Sequence, residues 1–139
     1  MNTDIENLIS DFELIDDWED RYRHLIELGR SLPEMDVAFK TPSTKVNGCA
    51  SQVWIHSRVA ENEGVKKLSL EGDSDALIVK GLIAVVFQLF APMNVSEIVN
   101  ADAPAVFERL GLKDHLTPQR SNGLASMVAR IKADAAAAL

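Results

Sequence analysis

One cysteine in 139 residues is the sharpest shortage in this chain. A single thiol excludes an internal disulfide and any metal site built from several thiolates of one chain. It also fits a reducing compartment. Positive charge is scarce: 14 Lys and Arg stand against 21 Asp and Glu, a formal net charge of −7. Such a surface is repelled by phosphate, so nucleic acid is not the expected partner. The stretch Met1-Asn2-Thr3-Asp4-Ile5-Glu6 lacks the basic and apolar regions of a secretion signal, and a cytoplasmic location is expected. Membrane-length apolar runs are missing too. The longest candidate, over 75–91, is interrupted by Lys80 and Gln88. No repeat or low-complexity segment occurs before the Ala-rich end. With 47% hydrophobic and 25% charged residues, the composition is that of an ordinary globular protein. The length predicts one domain, residues 1–139, with a core that needs neither disulfide nor metal.

What is present is mostly helical periodicity. Ile5, Leu8, Ile9, Phe12 and Ile15 recur at spacings of three and four and predict a helix over about 4–15. Thr3 is its expected N-cap, with Glu6 completing a capping box. A second helix is predicted over about 17–32, capped by Asp16 or Asp17, with Trp18, Tyr22, Leu25, Ile26 and Leu28 on its apolar face and Pro33 ending it. A polar connection over 33–44 leads to a hairpin. Its first strand is read over 52–60, its turn over Glu61–Gly64 and its return over 65–72. Val53, Ile55, Val59, Leu68 and Leu70 form its inward face. Residues 75–91 are apolar nearly all round, the pattern of a fully buried helix. Short helices are read over 95–100 and 103–110, with Gly111 as a stop. Thr117 and Pro118 start a final helix. The expected fold is α+β, a small antiparallel sheet with helices on one face. A third strand near Lys45–Val46 or within the polar connection remains open.

The cysteine lies in Val46-Asn47-Gly48-Cys49-Ala50-Ser51-Gln52-Val53-Trp54. Asn47-Gly48 favours a tight turn, because both residues tolerate positive φ. Cys49 is therefore expected on a loop that enters a strand, with little side-chain bulk around its sulfur. A lone cysteine is commonly a small buried hydrophobe, whereas a loop position favours function. Residue types alone leave a packing role and a reactive thiol both open.

The run Gly48-Cys49-Ala50-Ser51-Gln52-Val53-Trp54 resembles the cysteine motif of the SufE family, which includes SufE and CsdE. Ile26-Glu27-Leu28-Gly29 with Leu32-Pro33, Gly72-Asp73-Ser74-Asp75 followed by Ile78-Val79-Lys80-Gly81-Leu82, and His115-Leu116-Thr117-Pro118 with Arg120-Ser121-Asn122-Gly123-Leu124 match that family in the same order. The four blocks span nearly the whole chain. The resemblance implies the architecture shared with IscU-type scaffolds. It also implies a non-enzymatic role: Cys49 accepts persulfide sulfur from a cysteine desulfurase, a PLP enzyme of the SufS or CsdA kind. The chain would activate that partner and pass sulfur to a downstream iron–sulfur scaffold. No cofactor or metal of its own is implied, and a monomer or homodimer is expected.

Two other readings compete. A cysteine hydrolase needs a histidine base held near Cys49, and none of His24, His56 and His115 stands in a motif that provides one. An iron–sulfur scaffold needs several thiolates, and the chain has one. Gly48, Ser51, Gln52, Trp54, Asp73 and Arg120 are the candidates for loop gating and partner contact. The predicted hairpin places Gln52 roughly opposite Asp73, so the Asp73–Asp75 junction is expected to cap the buried helix and hold the loop shut. Trp54 and the start of that helix are the expected walls around the sulfur. The sign of any shift in the Cys49 pKa is left open, because a helix N-terminus and nearby carboxylates oppose each other. Arg120 falls in the first turn of the last helix, where a cation opposes the dipole; an anion or a partner's carboxylate would account for it.

Overall fold

The apolar stretch after the hairpin is the centre of the molecule. In the computed structural model, which describes residues 3–49 and 51–139 but not the Thr3 side chain, it forms helix α3, Leu77–Phe90. Ten of its fourteen residues are buried, among them Leu82, Ile83, Val85, Val86 and Phe90. Each fully buried aliphatic or aromatic side chain contributes about 1.5–3 kcal/mol relative to exposure, so α3 must be covered on every side. The chain order is α1 (Thr3–Leu14), α2 (Trp18–Arg30), β1 (Val53–Asn62), β2 (Val65–Ser74), α3, α4 (Val95–Asn100), α5 (Ala103–Arg109), α6 (Leu112–His115) and α7 (Pro118–Ala137). The fold class is α+β, with one two-stranded antiparallel sheet among the described residues.

Helix α1 buries Ile5, Leu8, Ile9 and Phe12, the stripe expected from spacing; Ile15 lies beyond its end. The capping role assigned to Thr3 falls outside the described residues. Asp17 caps α2 by accepting the Glu19 N–H at 2.9 Å. α2 and α3 meet backbone to backbone. A Cβ on Gly29 would stand 2.7 Å from the Gly81 nitrogen, and one on Gly81 would collide with the Leu25 carbonyl. No other residue type permits that approach.

The hairpin is longer than the sequence reading. Asn62 pairs with Val65 around a two-residue turn, Glu63-Gly64, whose φ values are 53° and 79°. That is the twist-matched turn preferred between antiparallel strands. The register then pairs Val59 with Leu68, Ile55 with Gly72 and Trp54 with Asp73. Val53, Ile55 and Leu68 face the helices and are buried. Val59 shares their face yet is 52% exposed, because the tip of the hairpin extends beyond the helical layer. On the opposite face, Phe39 stacks on His56 at 4.4 Å and Lys40 lies 5.2 Å from the Trp54 ring. The segment read as a plain polar connection thus carries a 3-10 turn, Val37–Phe39, that covers this face.

The third strand left open near Lys45–Val46 is a single antiparallel bridge, Lys45 to Trp54. Strand β2 runs on to Ser74, so α3 starts at Leu77 rather than at 75. Its N-cap residue is Ala76, with no side-chain cap, and neither Asp73 nor Asp75 caps it. The four-residue α6 has no counterpart in the sequence reading. One buried residue, Leu112, is too little for a periodicity to register. Thr117 caps α7 as expected, accepting the Arg120 N–H at 3.2 Å, and Pro118 opens the helix.

Gly81→Ala places a methyl against the Leu25 carbonyl, and overpacking of this kind costs about 1–3 kcal/mol. Urea unfolding should show a lower midpoint at an unchanged m-value. An unchanged midpoint would mean that α2 and α3 separate at no cost.

Candidate functional site

The cysteine loop is clasped at its base. The Val46 N–H donates to the Val53 carbonyl at 2.8 Å, and the Ile55 N–H donates to Thr44 at 2.9 Å. Between these rungs the chain turns at Asn47-Gly48, and Gly48 has φ +92°. A side chain there would be strained and would also meet the Ser126 Oγ. Ala50 lies outside the described residues. Cys49 sits one residue on, half-buried, against the second turn of α7. Its Sγ lies 3.6 Å from the Gly123 carbonyl oxygen, the geometry of a weak S–H donor. A Cβ on Gly123 would stand 3.4 Å from Sγ, in ordinary van der Waals contact.

Beside the sulfur is a cavity of about 20 Å³. Val79 and Leu82 come from α3; Met127, Gly123, Gln119 and Arg120 come from α7; Ser51 closes the loop side. The walls nearest the core are apolar. Arg120 is the one charged side chain in the lining, and it forms no ion pair or side-chain hydrogen bond among the described residues. Burial pushes the Cys49 thiol above its ordinary value. The direction left open by the sequence is therefore upward, which favours the neutral thiol.

The loop is also tied to the junction between β2 and α3, but through a different residue from the one expected. Gln52 N–H donates to Asp75 Oδ1 at 3.1 Å, and Asp75 N–H donates back to the Gln52 carbonyl at 3.4 Å. The expected pairing of Gln52 with Asp73 was off by two residues, because the turn is two residues long and not four. Asp73 instead faces the other side of the sheet. Its carboxylate lies between Lys40 at 2.7 Å and Lys80 at 3.2 Å and accepts the Ser74 N–H at 2.8 Å. Burial pushes this carboxyl up, but the bonds from Lys40, Ser74 and Lys80 outweigh it and hold it below the ordinary carboxylate range.

The structure thus brings Gly48, Ser51, Gln52 and Arg120 around Cys49. It places Trp54 and Asp73 on the opposite sheet face, so Trp54 is not a wall of the pocket. Gly123, Val79, Leu82 and Met127 were not singled out as site residues from the sequence. The start of the buried helix was the expected wall, and Val79 and Leu82 supply it. No histidine lines the cavity: His24 packs on Phe12, His56 on Phe39 and His115 on Trp18. Among the described residues, then, no histidine stands at the sulfur. Among the described residues no three metal-ligating side chains converge, and no helix is long and apolar enough to cross a membrane.

Fold and site together define a small α+β protein that presents one sheltered thiol on a clasped loop. The chain belongs to the SufE family: a family model described as an Fe-S metabolism associated domain matches residues 6–135. Among curated proteins it is 47% identical over 133 residues to an uncharacterised SufE-like protein of Rhizobium meliloti, covering 96% of this chain and 95% of that one. A second SufE-like protein, from Rhizobium etli, is 48% identical over 131 residues, covering 94% and 88%. Among solved structures, a hypothetical protein from Thermus thermophilus superposes with a TM-score of 0.75 at 20% identity, covering 97% of this chain and 95% of that one. That likeness concerns the fold alone.

Two outcomes follow from the geometry. Asp75→Ala removes the acceptor for Gln52, a hydrogen bond worth about 1 kcal/mol. Labelling of Cys49 by a bulky thiol reagent should accelerate several-fold in the free protein; an unchanged rate would show that this contact does not hold the loop. Asp73 has a lowered folded pKa, so the stability it contributes is fully present above about pH 4 and is lost as pH falls through the lower folded value. Asp73→Asn should therefore flatten the acid limb of the stability profile and cost about 1–3 kcal/mol at neutral pH. Denaturant titrations across pH 2–7 check both effects.

Proposed function

We propose that this protein is a sulfur acceptor and carrier for iron–sulfur cluster assembly. On this reading it takes persulfide sulfur from a cysteine desulfurase onto Cys49, activates that enzyme and delivers the sulfur to a cluster scaffold. The observation that carries the reading is a lone thiol on a short clasped loop, folded back over an apolar cavity. Membership of a family associated with Fe–S metabolism supports it. A carrier has two opposed needs. Its sulfur must be reachable by a partner's active site, and its cargo must be kept from reductants and oxidants between partners.

The chemistry of loading is thiol exchange. The Cys49 thiolate attacks the outer sulfur of the desulfurase persulfide, the S–S bond breaks, and the desulfurase thiolate leaves with the electron pair. No net oxidation occurs, and the chain needs no cofactor of its own. In the closed loop, burial keeps Cys49 protonated and so disfavours premature attack. Docking on the desulfurase draws the loop out of its pocket, which removes that burial and frees the thiolate. When the loop closes again, the terminal sulfur, an anion once loaded, returns to a cavity whose single charged side chain is Arg120. The free thiol requires a reducing setting, and the reading places the protein in the cytoplasm.

Incubation with a cysteine desulfurase and cysteine should add one sulfur atom to Cys49, detected by mass spectrometry of the non-reduced protein. Cys49→Ser should accept none and keep its fold. Sulfur uptake by the serine variant, or desulfurase turnover that it accelerates as well as the native chain does, contradicts the carrier role.

A further inference from the structure

A second recess, of about 460 Å³, shares no lining residue with the cavity beside Cys49. Its long wall is one face of α7, where lining residues recur at spacings of three and four from Ser121 to Lys132. At a rise of about 1.5 Å per residue that wall is about 16 Å long. Phe107 of α5 and Leu116, just before α7, stand opposite. Leu124, Phe107 and Val128 are only 5%, 8% and 9% exposed, so the floor is sunk between helices and is not a flat patch. A sunken apolar floor with a polar rim is the usual form of a ligand cleft, and such clefts hold roughly 300–1,000 Å³. Ten residues line the recess, whereas a stable protein interface engages roughly 20–30 on each side. The scale is that of a small molecule.

Charge selects the molecule further. In a chain of net charge −7, the charged side chains at this recess are both cations, Lys113 and Lys132, and among the described residues no carboxylate lines it. Lys132 is half-buried and held in place. Its ammonium donates to the Ala101 carbonyl and, at 3.5 Å, to the Val99 carbonyl, at the C-terminal end of α4. An ammonium has three protons to donate, so one remains for a ligand. We propose that the recess binds a free aliphatic carboxylate of medium chain length. The acyl chain lies along α7 over Leu124, Phe107 and Val128, and the carboxylate rests on Lys132. Sulfur transfer through Cys49 plays no part in this binding.

The full chain is titrated by calorimetry with sodium dodecanoate, kept below its micelle concentration. One saturable site should appear, and the methyl resonances of Leu116, Leu124 and Val128 should shift. Dodecanol, with the same chain and no charge, should bind about tenfold more weakly or worse, the loss expected for one hydrogen bond to a charged group. Lys132→Met should weaken dodecanoate by the same factor and leave dodecanol unchanged, a split that a loosened fold does not produce. Because Lys132 also holds the end of α4, a second variant blocks the recess without touching it. Ala129 is exposed on the same wall, so Ala129→Trp fills the space from outside the core. It should abolish binding of both compounds at an unchanged unfolding midpoint. Absence of saturable binding, equal affinity for dodecanoate and dodecanol, or full binding by Ala129→Trp overturns the proposal. A dimer that Ala129→Trp dissociates and dodecanoate does not also overturns it, because the recess is then an interface between two copies. An acidic amphipathic peptide that saturates the recess where dodecanoate fails overturns it in favour of a partner helix.

Discussion

A helix that is apolar nearly all round must be covered nearly all round, and the burial of α3 sets how α2, the hairpin and α7 pack. α2 covers one side through the glycine-to-glycine approach at Gly29 and Gly81. The inward face of the hairpin, with Val53, Ile55 and Leu68, covers a second. α7 covers a third, through Leu124, Met127, Val128 and Ile131. Because β2 and α7 both pack on α3, the loop preceding β1 is carried to the first turns of α7. The pocket for Cys49 is a seam of that packing, built from Val79 and Leu82 on one helix and Gly123 and Met127 on the other.

The same packing decides the electrostatics. On one face of the sheet a carboxylate is held ionised between two lysines, with Lys40 also lying over Trp54. This ties the 33–44 connection to the hairpin and to α3. On the other face an apolar seam pushes a thiol toward its neutral form. One element junction separates the two sites, with Asp73 turned to the first and Asp75 to the second. Strand pairing ends at Ser74, so Asp75 leaves the sheet's alternation, and two acidic residues in one tripeptide make unrelated contacts. Asp73 fastens the scaffold, while Asp75 fastens the loop.

Charge at the loop is sparse. A thiol surrounded by cations would be a persistent thiolate, reactive toward any electrophile. Among the described residues Arg120 is the one charged side chain lining the cavity, and it is exposed. The weak S–H contact to the Gly123 carbonyl and the pair of bonds between Gln52 and Asp75 are modest tethers. Contacts of this kind are worth about 1 kcal/mol each.

The sequence by itself determined the α+β class, the central helix, the cap at Thr117, the loop position of the only thiol and, through four ordered motifs, the family. These are local or periodic properties: a cap needs three residues, a buried helix needs its own pattern, and a turn dipeptide carries its own φ preference. The tertiary structure alone decided what surrounds the thiol. Cys49 and Gly123 are 74 positions apart, and no pattern along the chain records that their backbones meet. A misplaced turn of two residues was enough to put Asp73 where Asp75 stands, because register is summed from the turn outward and every pair inherits the error. The upward shift of the thiol likewise depends on burial by two helices distant in sequence, and only their packing creates that environment.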